Sequence, residues 1–296
     1  MFIDIHAHAF KRPQPYINGN RWFGKPEEII KRYDELDIEF GVLLPLIGPE
    51  VYIGQSNEEV IEMAYESGGR FIPFCNIDPR ALTNSADAPL GDILRYYKDL
   101  GCKGIGEVMP NLPFRDSRVQ NLLKCVEEVG FPLIFDLSAT IGGNYGIYDD
   151  PGLPQLEECL QKFPKLKILG HSAVFWSEIG QLESQEDRVR YPKYPVNEEG
   201  VVPKMMRRYE NLYGDLSAMS GYNALARDLR YAEKFLNEFQ DKLLFGTDIC
   251  KPDQEVAQVK LLKDFLIEGK INHQCFDKIA KKNSLKMLGI NQGKLL

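Results

Sequence analysis

No stretch of this 296-residue chain approaches the roughly 18 consecutive apolar residues that span a bilayer, and its start lacks a charged segment followed by an apolar one. A membrane partner is therefore not expected, and a cytoplasmic location is. Positive charge is in deficit, with 36 Lys and Arg against 43 Asp and Glu for a formal net charge of −7. Affinity along a nucleic acid comes mainly from clustered Lys and Arg, so no nucleic-acid partner is expected. The six cysteines, Cys75, Cys102, Cys125, Cys159, Cys250 and Cys275, contain no CxxC pair, which argues against a zinc cluster and for reduced thiols in or near the core. No GxGxxG follows the first apolar run and no P-loop occurs, which removes the two commonest phosphate-cradling signatures.

What the sequence does contain is an alternation. Eight short runs rich in Val, Ile, Leu and Phe read FIDIHAH, FGVLLPLI, FIPFCNID, CKGIGEVM, FPLIFDLS, LKILGHSA, NLYGDLS and LLFGTDI. Each is too short and too evenly apolar for a strand with one wet face, so they predict buried parallel strands. Amphipathic segments lie between them. Ile29, Ile30, Tyr33 and Leu36 share one face of the first, Ser56 and Glu59 frame the start of the second, and Gly101 and Gly130 sit where helices should end. Eight such units predict an α/β fold, a single (β/α)8 TIM barrel over residues 1–296, rather than an open sheet of five or six strands. Two connections exceed the minimal repeat: a Pro- and Gly-rich loop over about residues 9–26 after strand 1, and a polar stretch from about Ser177 to Gly200 after strand 6. Loops that follow strands form the functional rim of such a barrel, so both are candidate substrate walls.

Histidine is scarce, yet two of the four residues, His6 and His8, stand as His-x-His in the first strand. Period two puts them on one side with Asp4, predicting an inward Asp4, His6, His8 face and an outward Ile3, Ile5, Ala7 face. Paired imidazoles at the end of an apolar strand are costly unless something uses their nitrogens, and a divalent cation is the commonest answer. Glu107, Asp136, His171 and Asp248 close strands four, five, six and eight. A barrel brings those strand ends around one axis, where together they form a candidate metal centre. Ser217, Ser220, Asn223 and Arg227 after strand seven are candidate substrate contacts, with Arg227 suited to a carboxylate.

FIDIHAH, ILGHSA and LLFGTDIC resemble the first-, sixth- and eighth-strand signatures of the amidohydrolase superfamily, especially its amidohydrolase-2 branch. ENLYGDLSA and DKIAKKNSLKMLGI resemble that branch's seventh strand and closing helix, so the resemblance spans nearly the whole chain. It implies that His6 and His8 are metal ligands. It further implies that Asp248 both binds metal and handles the proton of the attacking water, and that His171 binds a second metal or polarises the substrate. The departure is at strand five, where the family usually presents a histidine and this sequence has Asp136. Glu107 resembles the fourth-strand glutamate that ligates metal in TatD-type deoxyribonucleases, which would make it a further ligand. Asp136 is then another ligand or a substrate-binding carboxylate.

Imidazole and carboxylate donors without a thiolate suit Zn2+, in one or two copies, with Mn2+, Fe2+ or Co2+ as alternatives. The expected activity is metal-dependent hydrolysis of an amide, lactone or ester bond in a small molecule by metal-activated water, with Asp248 and His171 catalytic and Asp136 and Arg227 binding substrate. A decarboxylase of the amidohydrolase-2 type is the main alternative; a TatD-like nuclease and a barrel that only binds ligand are weaker ones. A small-molecule substrate is the expected partner, and a homo-oligomer remains open.

Overall fold

Each apolar run becomes a short parallel strand in the computed structural model, which describes residues 1–12, 18–51 and 53–290. In chain order these are β1 (Phe2–Ala7), β2 (Ile38–Leu43), β3 (Phe71–Pro73), β4 (Ile105–Val108), β5 (Leu133–Phe135), β6 (Ile168–Gly170), β7 (Leu212–Asp215) and β8 (Leu243–Leu244). Ladders join β1, β2 and β3 on one side and β4 through β8 on the other. Parallel bridges from Cys75 to Ile105 and from Ala7 to Ile249 connect the two arcs at both seams. The sheet thus closes on itself, the TIM barrel that eight strand–helix repeats predict.

Two apolar layers hold it together. Ile3, Ile5, Phe40, Val42, Leu44, Ile72, Phe74, Ile134, Leu169 and Leu244 fill the interior, and Leu285, Met287 and Leu288 of the closing helix plug its lower end. A larger layer packs the outer helices on the sheet. The helix Pro26–Leu36 shows why they form. Proline occupies the first turn, Glu28 accepts from the backbone N–H of Lys25, Ile29 and Tyr33 are buried one turn apart, and Asp37 stops the helix at φ 64°. Ser56 caps the next helix by accepting from the N–H of Glu59, and Gly130 ends the helix Ser117–Val129 at φ 80°, both as the sequence predicts. All six cysteines are free, and no helix among the described residues is long and apolar enough to cross a membrane.

The face assignment within β1 is corrected. Ile3 and Ile5 point into the barrel, whereas Asp4 points outward to accept from Tyr33 of the first helix and from Thr247. His6 and His8 nevertheless reach the axis. Asp4 pairs with Gly41 and Ala7 with Leu43, three residues on β1 against two on β2, so a bulge lies between them. One extra residue breaks the period of two and re-aims everything after it.

The loops after β1 and β6 are long, although residues 13–17 of the first lie outside the described residues. The second folds into a short helix Ala173–Ser177 and a 3-10 turn Gln185–Val189. Buried Arg188 ties it down, donating to Glu178 and to the carbonyls of Asp149 and Asp150. The segment between β5 and Pro154 is a third long loop that the sequence reading passed over, and it carries a two-stranded pair of Leu137–Ser138 with Ile147–Tyr148.

Candidate active site

β1, β4, β6 and β7 each deliver a buried polar group to the same end of the barrel, and the segment after β8 adds the partly exposed Asp248. His6 and His8 are respectively 0% and 2% exposed, Glu107 is 5% and His171 is 3% exposed. The Nε2 atoms of His6 and His8 are 3.1 Å apart. Glu107 Oε2 lies 3.7 Å from each, and Asp248 Oδ1 lies 3.6 Å and 3.4 Å from them.

The other ring nitrogens fix what those Nε2 atoms offer. His6 Nδ1 stands 2.7 Å from the Asp215 carboxylate, and His8 Nδ1 stands 2.9 Å from the carbonyl oxygen of Leu44. Both partners accept only, so each Nδ1 carries hydrogen and Nε2 is the nitrogen whose lone pair each ring can offer to a cation. Two lone pairs and two carboxylates therefore converge with no donor among them. Ligand bonds of about 2.0–2.2 Å place neighbouring donors around a tetrahedral ion about 3.3–3.6 Å apart, close to the spacings here. The donor set fits a divalent cation.

Electrostatics points the same way. Burial would lower the pKa of His6, but Asp215, Asp248 and Glu107 outweigh it and hold the ring well above its usual range. Burial would raise Glu107, but His6, His171 and His8 bring it down to about 2. The cluster calls for positive charge at its centre.

Glu107 faces two ways. Its Oε1 lies 3.7 Å from His171 Nε2, and donor atoms of Glu107, Asp136 and His171 come within 4.8 Å of one another, a second place for a cation. Asp136, just past β5, has its pKa raised well above the usual by burial and by the carboxylates of Glu107 and Asp248. His171 Nδ1 lies 3.0 Å from Ser217 Oγ and 3.2 Å from Asp215 Oδ2, and Ser217 donates to the same Asp215 oxygen at 2.9 Å.

Asp215 was missed by the reading of the sequence, which took up the segment it begins only for the residues beyond it. A buried aspartate at the end of an apolar strand, in NLYGDLS, was the available signal. Ser172, Ala218 and Asp248 also adopt positive φ, at 96°, 59° and 53°, so left-handed backbone gathers around the site.

A cavity opens above these groups in two lobes that share Asp136, Tyr145, His171 and Asp248. One, of about 160 Å³, is walled by Trp22, Phe23, Leu46, Val51, Met109 and Cys250. The other, of about 230 Å³, is edged by Ser138, Thr140, Asn144, Ser172, Tyr191 and Ser220. The long loops after β1 and β6 supply Trp22 and Tyr191, as expected of substrate walls, and the loop after β5 supplies Thr140, Asn144 and Tyr145. A larger hollow of about 580 Å³, edged by Glu183, Glu198 and Lys204, holds none of the converging groups.

Arg227 does not join the site. It ends the helix Ala218–Ala226, lies against Gly180 and Tyr194, and is not among the residues lining either lobe. Ser217 begins that helix beside His171, and Arg227 lies at its other end. Phe175 and Trp176 are fully buried against Gly170 and Gly214, beneath the long loop rather than beside the cavity.

The family model described as Amidohydrolase matches residues 3–290. Comparison with curated proteins gave no match. Several solved structures share the fold at low identity. A probable 2-pyrone-4,6-dicarboxylic acid hydrolase from Acinetobacter baumannii with citric acid bound is 15% identical, at a TM-score of 0.59 over 98% of this chain and 99% of that one. An amidohydrolase from Burkholderia multivorans with zinc bound is 12% identical, at a TM-score of 0.61 over 98% and 100%. The 5-carboxyvanillate decarboxylase of Sphingomonas paucimobilis is 15% identical, at a TM-score of 0.53 over 89% and 83%.

Proposed function

The chain belongs to the amidohydrolase family, and on that premise we propose that it is a metal-dependent hydrolase of small molecules carrying an amide, lactone or ester bond. The observation that carries this is the convergence of the His6 and His8 Nε2 lone pairs with Glu107 and Asp248, each imidazole locked in its tautomer from behind. These four residues would hold the ion. Zn2+ suits a nitrogen and oxygen set, and Cys250 Sγ, 3.7 Å from the Asp248 carbonyl, plays no part in it.

When bound, such an ion supplies Lewis acidity that makes water a nucleophile near neutral pH and polarises a carbonyl oxygen. Asp248, whose side chain is 27% exposed where the others are nearly sealed, takes the proton of the attacking water and returns it to the leaving group. His171 is turned by Asp215 and Ser217 so that Nε2 faces the same space, where its lone pair would serve a second ion or, as the imidazolium, it would donate to the substrate oxygen. The apolar lobe takes the body of the substrate and keeps water from it, and Asp136, which lines both lobes, faces the substrate.

The likeness to a decarboxylase keeps that reaction as the second reading, since the same centre could hold a substrate carboxylate. Among the described residues no Lys or Arg lines either lobe, which weighs against a nucleic-acid substrate.

The test is hydrolysis of dihydrocoumarin, phenyl acetate and a panel of amides by zinc-loaded protein, chelator-stripped protein and Asp248→Asn. Turnover should vanish with the metal, return with it, and fall about 10²–10⁴-fold in Asp248→Asn with metal retained. Carbon dioxide release from aromatic acids without any hydrolysis would replace this reading by the decarboxylase. Elemental analysis of wild type beside Glu107→Ala settles the count. Two ions falling in the variant assign the second position to Glu107, Asp136 and His171, and one ion leaves His171 as the donor.

A further inference from the structure

From the lining of the cavity we infer the charge class of the substrate: beyond the group that reacts, it carries no anion, and its remote polar group is neutral or cationic. This rests on the substrate reacting at the centre proposed above.

Four carboxylates, those of Glu107, Asp136, Asp215 and Asp248, surround that centre. At full ionisation they balance two divalent ions and outweigh one, so the centre offers no surplus of positive charge. Carboxylate recognition in proteins ordinarily uses the paired donors of Arg or the ammonium of Lys. Among the described residues neither type lines either lobe, and the residues outside that description add only Lys294 by sequence. The one arginine that sequence reading offered for the purpose, Arg227, lies against Tyr194 instead.

What lines the polar lobe is uncharged apart from Asp136 and Asp248: hydroxyls and an amide, from Ser138, Thr140, Ser172, Ser220 and Asn144. Ser220 points to a ligand. It is 3% exposed, and its Oγ is buried with no hydrogen-bond partner among the described residues. A buried hydroxyl left unpaired is costly, and a polar group of the substrate would satisfy it. Beside it the apolar lobe, with Trp22, Phe23 and Met109, accepts a flat ring. A second carboxylate on that ring would be stripped of water and set among hydroxyls and aspartates with no cation to meet it.

Three ligands differing in one group test this on zinc-loaded protein by calorimetry and by Trp22 fluorescence: isophthalate, 3-carbamoylbenzoate and 3-(aminomethyl)benzoate. Each offers one carboxylate to the centre, and only isophthalate carries a second. Isophthalate should bind at least tenfold more weakly than either of the others, and binding as tight as theirs overturns the inference. Placing a cation at the exposed edge of the polar lobe with Asn144→Arg should raise isophthalate affinity at least tenfold; no such gain also overturns the inference. Ser220→Ala should weaken 3-carbamoylbenzoate at least threefold, and an unchanged affinity removes Ser220 from the contact. If none of the three binds, the cavity is not where the substrate sits. A failure of the hydrolase reading shows instead as absent turnover of esters and lactones and does not alter the ranking of these ligands.

Discussion

Asp215 Oδ2 stands 2.7 Å from His6 Nδ1 at a point where both side chains are sealed from solvent. Strand β7 brings this carboxylate across 209 residues of sequence to the back of a ring whose front faces the candidate metal. The same oxygen reaches His171 and Ser217, so one buried aspartate orients two imidazoles. Histidines that bind metal commonly rely on such a partner for tautomer and basicity.

Asp215→Ala is therefore expected to leave the barrel folded and to weaken zinc binding about 10–100-fold, read by competition with a chromophoric chelator. Wild-type affinity in the variant would show that His6 needs no carboxylate behind it.

Gly246 is small because Asp215 needs the space. A Cβ at this position would come 2.5 Å from Asp215 Oδ1 and 2.8 Å from Ser217 Cβ. Gly246→Ala should push Asp215 off its partners and lower zinc affinity at least tenfold, with far-UV circular dichroism close to wild type. A variant with full affinity would mean that the backbone of β8 gives way at no cost to the site.

Asp4 provides a pH signature apart from catalysis. Burial lifts its carboxyl to about 6, outweighing hydrogen bonds from Thr247, Tyr33 and the backbone of His6 and Thr247. For an acid held above its unfolded value of 3.8, the folded state binds the proton more tightly, so the contribution is fully present below about pH 4 and is lost as pH rises through about 6. Asp4→Asn lacks this titration. Its stability relative to wild type should improve by about 2 kcal/mol between pH 4 and pH 6.5, from a shift of roughly two units. Parallel urea melts of the two proteins measure it, and a constant gap between them would show that Asp4 titrates normally.

Arg188 is only 2% exposed and pairs with buried Glu178 at 2.6 Å. Arg188→Ala would leave that carboxylate buried and unpaired, at a cost of about 3–5 kcal/mol, and would free the loop that carries Tyr191. Arg190→Ala is the control. Its 3.9 Å pair with Glu186 is largely exposed, and its removal should change stability by under about 1 kcal/mol. Equal effects of the two substitutions would contradict the role assigned to Arg188.

The sequence by itself determined the repeat and the chemistry. Eight apolar runs too short for anything but buried strands, with amphipathic segments between them, specify a barrel, because only closure buries every such strand on both faces. Polar residues at the ends of those runs, His6, His8, Glu107, Asp136, His171 and Asp248, could be read as a converging set because strand ends in a closed barrel share one rim.

Tertiary structure decided the rest. Ile3 and Ile5 face inward and Asp4 outward, against the expected alternation, and a bulge between Asp4 and Ala7, set by how β1 registers on β2, still brings His6 and His8 to the site. Period-two reasoning cannot see an inserted residue, since a bulge is a property of the pair of strands. Asp215 acquired its role from neighbours more than 40 and 200 residues away, and Arg227, at the opposite end of its helix from Ser217, lines neither lobe of the cavity. Much of the cavity wall comes from loops after β1, β2, β5 and β6 meeting over the barrel. Local sequence fixes which side chains those loops contain, but only their packing against one another decides which of them face the centre.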